Sequence, residues 1–221
     1  MLGRAFPEEY VAVIAGNEGT NEALLEERWD HIFFTGSQRT GRKVMEAAAR
    51  NLTPVTLELV GKSPCIVAST ADLGVAARRI AWGKWLNCGQ TCVAPDYCLV
   101  HRSALEPFLS LLHRAVESFY GQAPLDCPDY PHIVGERHYA RLCGLLEGEK
   151  LAFGGQRNDL RLQIEPTVVL GATRQSAVMQ EEIFGPILPV IPYDSREELE
   201  GWMGSYEKPL ALYLFTRDRE M

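Results

Sequence analysis

HIFFTGSQRTGRKVMEAAARNLTPVTLEL, residues 31–59, is the stretch that decides the fold. HIFF and VTLEL are short runs rich in aromatic and β-branched residues, and GRKVMEAAARNL between them carries its apolar residues at helical spacing. Strand, helix, strand in that order predicts a parallel crossover unit. Upstream, YVAVIAG (10–16) reads as a further strand and ALLEERW (23–29) as a further helix, extending the prediction to βαβαβ. Ligands of open parallel sheets bind beyond the carboxyl ends of the strands, where TGS (35–37) and ELVGK (58–62) fall.

The α/β alternation continues downstream. PCIVAS (64–69) reads as a strand and DLGVAARRIAWGKWLN (72–87) as a helix with Asp72 as its N-cap. A loop holding GQTC (89–92) leads to the strand YCLVH (97–101) and a helix from about Ser103 to Tyr120. APLDCPDYPH (123–132) reads as loop and ERHYARLCGLLEG (136–148) as helix, while IEPTVVL (164–170), ILPVIPY (187–193) and PLALYLFT (209–216) are of strand length. Trp82 and Trp85, three apart on a helix, both read as core. There is no internal repeat or low-complexity tract.

Composition narrows the function classes. The 221 residues are 46% hydrophobic and 23% charged, with a net charge of −7, which offers no basic footprint to nucleic acid. No apolar run approaches the roughly 18 residues of a membrane span, and MLGRAFPEEY lacks the pattern of a secretory signal. The expectation is a cytoplasmic chain without a membrane segment, whose six cysteines are free thiols. The five histidines and the cysteines show no zinc-like spacing, so no metal is expected.

Four short segments carry candidate chemistry. Cys92 follows Gly89, Gln90 and Thr91 on a tight loop after a helix, which suits either an activated thiol or a small buried hydrophobe. Glu58, near the end of VTLEL, is either a surface carboxylate or a partly buried general base. Thr35, Gly36 and Ser37, with Gly41 one turn on, pass from strand into helix, which offers backbone amides to a phosphate or an ordinary N-cap at Ser37. Glu181 and Glu182 precede Phe184 and a Gly-Pro turn.

Taken together and in order, FFTGS at 33, LELVGKSP at 57, GQTC at 89 and EEIFGPI at 181 resemble the aldehyde dehydrogenase superfamily. HIFFTGS, AAARNLTPVTLEL, APDYCLV, MQEEIFGPILPV and EKPLALYLF resemble its class 3 branch, and the likeness spans nearly the whole chain. It implies part of a Rossmann-like NAD(P)-binding parallel sheet over residues 1–61, followed by an incomplete α/β catalytic domain over 62–221. It also implies Cys92 as nucleophile and oxyanion donor, Glu58 as general base, and Thr35, Gly36, Ser37, Gly41, Leu59, Glu182 and Phe184 against the cofactor. The implied reaction oxidises a small-molecule aldehyde with NAD or NADP through a cysteine thioester, in a family whose members form homodimers.

The chain departs from the family pattern in two ways. Position 60 is Val where the family's ELGGK has glycine, and a branched side chain there redirects close backbone approach. The family's upstream segment, which holds a second oxyanion donor and a ribose-binding lysine, has no counterpart in this sequence. The alternative is therefore a catalytically incomplete fragment that at most associates with partners. A cysteine hydrolase would leave FFTGS and EEIFGPI unexplained.

Overall fold

The computed structural model describes residues 2–59 and 61–219, so Val60 lies outside the described residues. The chain divides into two compact units, 1–60 and 61–221.

The first unit contains α1 (Leu2–Ala5), α2 (Glu18–Glu26), β1 (Ile32–Gly36), α3 (Gln38–Arg50) and β2 (Val55–Leu59). β1 and β2 pair in parallel with Ile32 opposite Val55 and Gly36 opposite Leu59. Ser37 caps α3, its side chain accepting from the Thr40 amide at 3.2 Å. α3 buries Gly41, Val44 and Ala48. Gly41 is a packing glycine: a methyl group there would stand 2.5 Å from Leu59 Cδ2, so its absence lets the helix lie close to β2. Strand alternation leaves Phe33, Thr35, Thr56 and Glu58 exposed and their neighbours partly buried.

The expected third strand is not there. YVAVIAG forms no strand, and Tyr10, Val13 and Ile14 are 79%, 74% and 57% exposed. Its apolar composition signals a need for burial that no partner strand among the described residues meets.

The second unit is built on a six-stranded sheet in the order β10-β3-β4-β9-β8-β5. Its elements are β3 (Pro64–Val67), α4 (Leu73–Trp85), β4 (Tyr97–His101), α5 (Leu105–Tyr120), α6 (Glu136–Leu145), β5 (Lys150–Phe153), β6 (Arg157–Asn158), β7 (Gln163–Ile164), β8 (Thr167–Leu170), α7 (Ala177–Gln180), β9 (Ile187–Tyr193), α8 (Arg196–Met203) and β10 (Tyr213–Phe215). All neighbours in this sheet run parallel except β5, which is antiparallel to β8. Asp72 caps α4, accepting from the Val75 amide at 3.1 Å.

Both faces of this sheet are covered over its inner strands, which is why β3, β4, β8 and β9 read as continuous apolar runs rather than alternating ones. Cys65, Val67, Cys98, Val100, Leu188 and Val190 pack with Ala77, Ile80, Phe108 and Leu112 of α4 and α5. Ile66, Leu99, Ile187 and Ile191 pack on the other side with Leu142, Met179 and Leu199. Each large apolar side chain sequestered this way contributes about 1.5–3 kcal/mol.

Several boundaries differ from the sequence expectation. IEPTVVL breaks at Glu165–Pro166 into β7, which pairs with β6, and β8. Only the last part of PLALYLFT becomes β10. Trp85 is fully buried, but Trp82 is 59% exposed, so only one of the two belongs to the core.

Candidate active site

The GQTC turn is shaped by an uncommon backbone. Asn87, Cys88 and Gly89 all lie in the left-handed region, with φ of 53°, 58° and 72°. Such residues cost about 1–3 kcal/mol each where a side chain is present, and they persist only when their surroundings over-determine them. Here the surroundings do. Asn87 Nδ2 donates to Gln90 O at 3.1 Å, and Gln90 Nε2 donates to Asn87 O and His132 O at 3.2 and 3.1 Å. Gln90 Oε1 accepts from the Val134 amide at 2.9 Å, and Tyr213 Oη donates to Val93 O at 2.6 Å.

This brace sets Cys92 on a turn, partly exposed, and its amide makes no hydrogen bond among the described residues. Cys88, four residues earlier, is the opposite kind of thiol. It is buried against Tyr130, with Sγ 3.4 Å from the hydroxyl, and burial pushes its pKa up to about 11. Cys65 and Cys98 are buried in the sheet as well.

The EEIFGP turn is locked to the GQTC turn by backbone contact. A methyl group on Gly89 would stand 2.1 Å from Gly185 O, so the two main chains meet where neither residue has a side chain. Trp85 Nε1 at the end of α4 donates to Pro186 O at 2.8 Å. Asp96, just before β4, accepts from the Ile183 amide at 2.9 Å and forms a buried ion pair with Lys62. Lys62 also donates to Val178 O and Glu181 O, at 2.8 and 3.0 Å. From α6, Arg141 donates to the carbonyls of Glu182 and Ile183, and His138 Nε2 donates to Phe184 O at 2.7 Å. Phe184 itself is held at φ 51°.

The structure therefore gathers Cys92, Glu182 and Phe184 in one unit. Burial is the largest cause that raises the Glu182 pKa, to about 8, and the charge of Asp96 adds to it; Lys84, Lys62 and Arg141 oppose. Among the described residues no hydrogen bond reaches the Glu182 carboxylate. Glu182 has spare acceptors for a hydroxyl-bearing ligand, which fits the ribose of a nicotinamide nucleotide.

The remaining sequence candidates belong to the first unit. Register pairs Thr35 with Glu58 and Gly36 with Leu59 across β1 and β2, and Ser37 and Gly41 follow on α3. Of the two alternatives the sequence left open for Glu58, a surface carboxylate and a partly buried one, the structure has the first: Glu58 is exposed, on the uncovered face of the strand pair. Lys62, Asp96, Lys84, His138 and Arg141 were not singled out from sequence. Lys62 and Asp96 lie inside quoted motifs, and His138 and Arg141 share a helix face three residues apart, but their partners are far away in the chain. The described residues hold no cluster suited to a metal ion.

The profile of the aldehyde dehydrogenase family matches residues 3–221. The chain is 46% identical over 226 residues to aldehyde dehydrogenase family 3 member A2 of Pongo abelii, covering 100% of this chain and 46% of that protein. It is 47% identical over 209 residues to the dimeric NADP-preferring aldehyde dehydrogenase of Canis lupus familiaris, covering 95% of this chain and 46% of that one. The substrate-bound structure of Staphylococcus aureus AldH superposes with a TM-score of 0.95 at 44% identity, over 99% of this chain and 48% of that one. The chain thus spans about half the length of the curated relatives it matches. Matched by that profile over residues 3–221, it belongs to the aldehyde dehydrogenase family.

Proposed function

We propose that the protein oxidises an aldehyde to a carboxylic acid with NAD or NADP, with Cys92 as nucleophile. One observation carries the reading: the Gly89–Gly185 contact couples the turn of the partly exposed thiol to the turn of Glu182 and Phe184. NADP preference is part of the canine relative's name.

In this reading the Cys92 thiolate adds to the aldehyde carbon, and the unpaired Cys92 amide donates to the oxygen as it becomes negative. The chemistry that a bound nicotinamide would supply is acceptance of a hydride from that carbon, which would leave Cys92 holding the acyl group as a thioester. Glu58 takes a proton from water, the water oxygen bonds to the acyl carbon, and the carbon–sulfur bond breaks to release the acid and the thiol. Glu182 and Phe184 would hold the ribose and ring of the cofactor, with Thr35, Gly36, Ser37, Gly41 and Leu59 against the rest of it.

A second reading, association without turnover, is favoured by the uncovered face of the strand pair in the first unit, where Phe33 is 66% exposed. The test mixes the 221-residue chain with NAD or NADP and a long-chain or aromatic aldehyde and follows reduced nicotinamide. Turnover that Cys92→Ala abolishes supports the first reading; turnover equal in the two sinks Cys92 as nucleophile. Cofactor binding by calorimetry without turnover supports the second.

A further inference from the structure

Lys84 is the buried ionisable group that the reaction above does not use. It lies on the last turn of α4 and is 0% exposed. Its Nζ has no hydrogen-bond partner among the described residues. An unpaired buried ammonium loses its hydration and gains nothing in return, so its retention calls for a compensating anion.

The carboxylate that α4 and its surroundings most directly offer is already taken. Asp96 uses Oδ2 for Lys62 and Oδ1 for the Ile183 amide. What is left is Glu182, whose side chain is part-buried and accepts no hydrogen bond among the described residues. The two turns are already joined beside it: Trp85, the residue after Lys84, donates to Pro186 O, and a methyl on Gly89 would meet both Gly185 O, at 2.1 Å, and Lys84 O, at 3.1 Å. An orphan donor and an orphan acceptor thus lie on elements held together by their backbones.

We propose that Lys84 is a positioning residue, whose buried ammonium favours the ionised form of the Glu182 carboxylate and so enlarges the share of it that can receive a cofactor hydroxyl as an anion. The proposal rests on the reading of Glu182 as a cofactor-holding group. Around Glu182 stand Asp96, which opposes its ionisation, and Lys62 and Arg141, which favour it along with Lys84. Lys84 answers to the same groups: burial pulls its pKa down to about 8, Asp96, Glu182 and Cys88 push it up, and Lys62 pushes it down. Lys62 is committed to Asp96 and two carbonyls, and Arg141 to the carbonyls of the turn. Among the described residues Lys84 alone of the three has its cationic group without a hydrogen-bond partner.

The experiment is a pair of titrations on the 221-residue chain by NMR, with 13C-labelled glutamate carboxyls and lysine Cε carbons. Resonances are assigned with Glu182→Gln and Lys84→Met. Removal of the ammonium in Lys84→Met is expected to raise the proton affinity of Glu182 about tenfold, one pH unit in its midpoint. Coupling between two sites is reciprocal, so Glu182→Gln is expected to lower the Lys84 midpoint by the same amount. A Glu182 midpoint unmoved in a folded Lys84→Met chain overturns the proposal. If Lys84→Met does not fold, the Lys84 midpoint in Glu182→Gln decides alone, and an unmoved value overturns it. A purely structural lysine would move neither. Calorimetry with NAD and NADP near neutral pH adds a separate readout, with affinity expected to fall about tenfold in Lys84→Met, the share of Glu182 that loses its charge. Should the unaltered chain bind neither nucleotide, the reading of Glu182 as a cofactor group fails, while the titrations still decide whether Lys84 sets its charge.

Discussion

In the first unit the candidate residues stand where strands finish: Thr35 and Gly36 close β1, and Glu58 and Leu59 close β2. In the second they stand where strands begin, with Lys62 ahead of β3, Cys92 and Asp96 ahead of β4, and Glu182 and Phe184 ahead of β9. The rule that ligands collect at the carboxyl ends of parallel strands thus describes one unit and not the other. The difference extends to how each group is held. Strand register and one packed helix place the residues of the first unit, whereas loop-on-loop contacts and buried polar bonds place those of the second. One arrangement leaves Glu58 exposed; the other leaves Lys84 without water.

The sharpest way to break this comparison is to remove one chemical group from each unit. Cys92→Ala is expected to abolish acyl-enzyme formation altogether. Glu58→Gln is expected to leave formation of the thioester intact and to slow its hydrolysis by about 100-fold to 10,000-fold, the ordinary worth of a general base. Single-turnover kinetics separates the two steps, and an equal loss of the first step in both variants would mean that Glu58 serves the thiol rather than the water.

Stability tests the same contrast. Lys62→Met leaves Asp96 as a buried, uncompensated charge and is expected to cost about 3–5 kcal/mol in urea unfolding. Phe108→Ala, in the fully buried α5 face, is expected to cost about 3–5 kcal/mol, while Phe33→Ala on the uncovered strand face stays within about 0.5 kcal/mol. A large effect at Phe33 would show that this face is covered in solution. Gly89→Ala combines a left-handed φ with a collision against Gly185 O, and a loss of about 2–4 kcal/mol is expected.

The smallest effect is one of acidity. Burial is the main cause that holds the His138 pKa below its ordinary value, and Arg141 adds to it, against the hydrogen bond to Phe184 O. The unfolded chain therefore takes up this proton first as pH falls through the ordinary histidine range. Stability of the second unit declines from there until the folded state binds the proton too. His138→Gln is expected to flatten that decline, as read by urea midpoints across the mildly acidic range.

Much of this was legible in the sequence because burial on both faces writes itself into composition. PCIV, YCLV and ILPVIPY are apolar without interruption and became β3, β4 and β9. β5, by contrast, is an edge strand with alternating exposure, and its KLAF carries too little signal to separate from loop. YVAVIAG misled for the converse reason, since an apolar run reports a demand for cover and not the geometry that supplies it. Cys92, Glu182 and Phe184 could be singled out because the motifs that hold them, taken together and in order, resemble those of a known family. Lys84 gave no such sign. An ammonium on a helix reads as a solvated face until the chain 98 residues further on, at Glu182, folds over it.

The meeting of Gly89 with Gly185 contains no charge and no proton to lose. Acid and salt, which slacken exposed ion pairs such as Arg141 with Glu181, leave this joint as it is. A thiol hung on one side and a carboxylate on the other keep their spacing while the charges around them change, so the machinery can alter its ionisation without altering its shape.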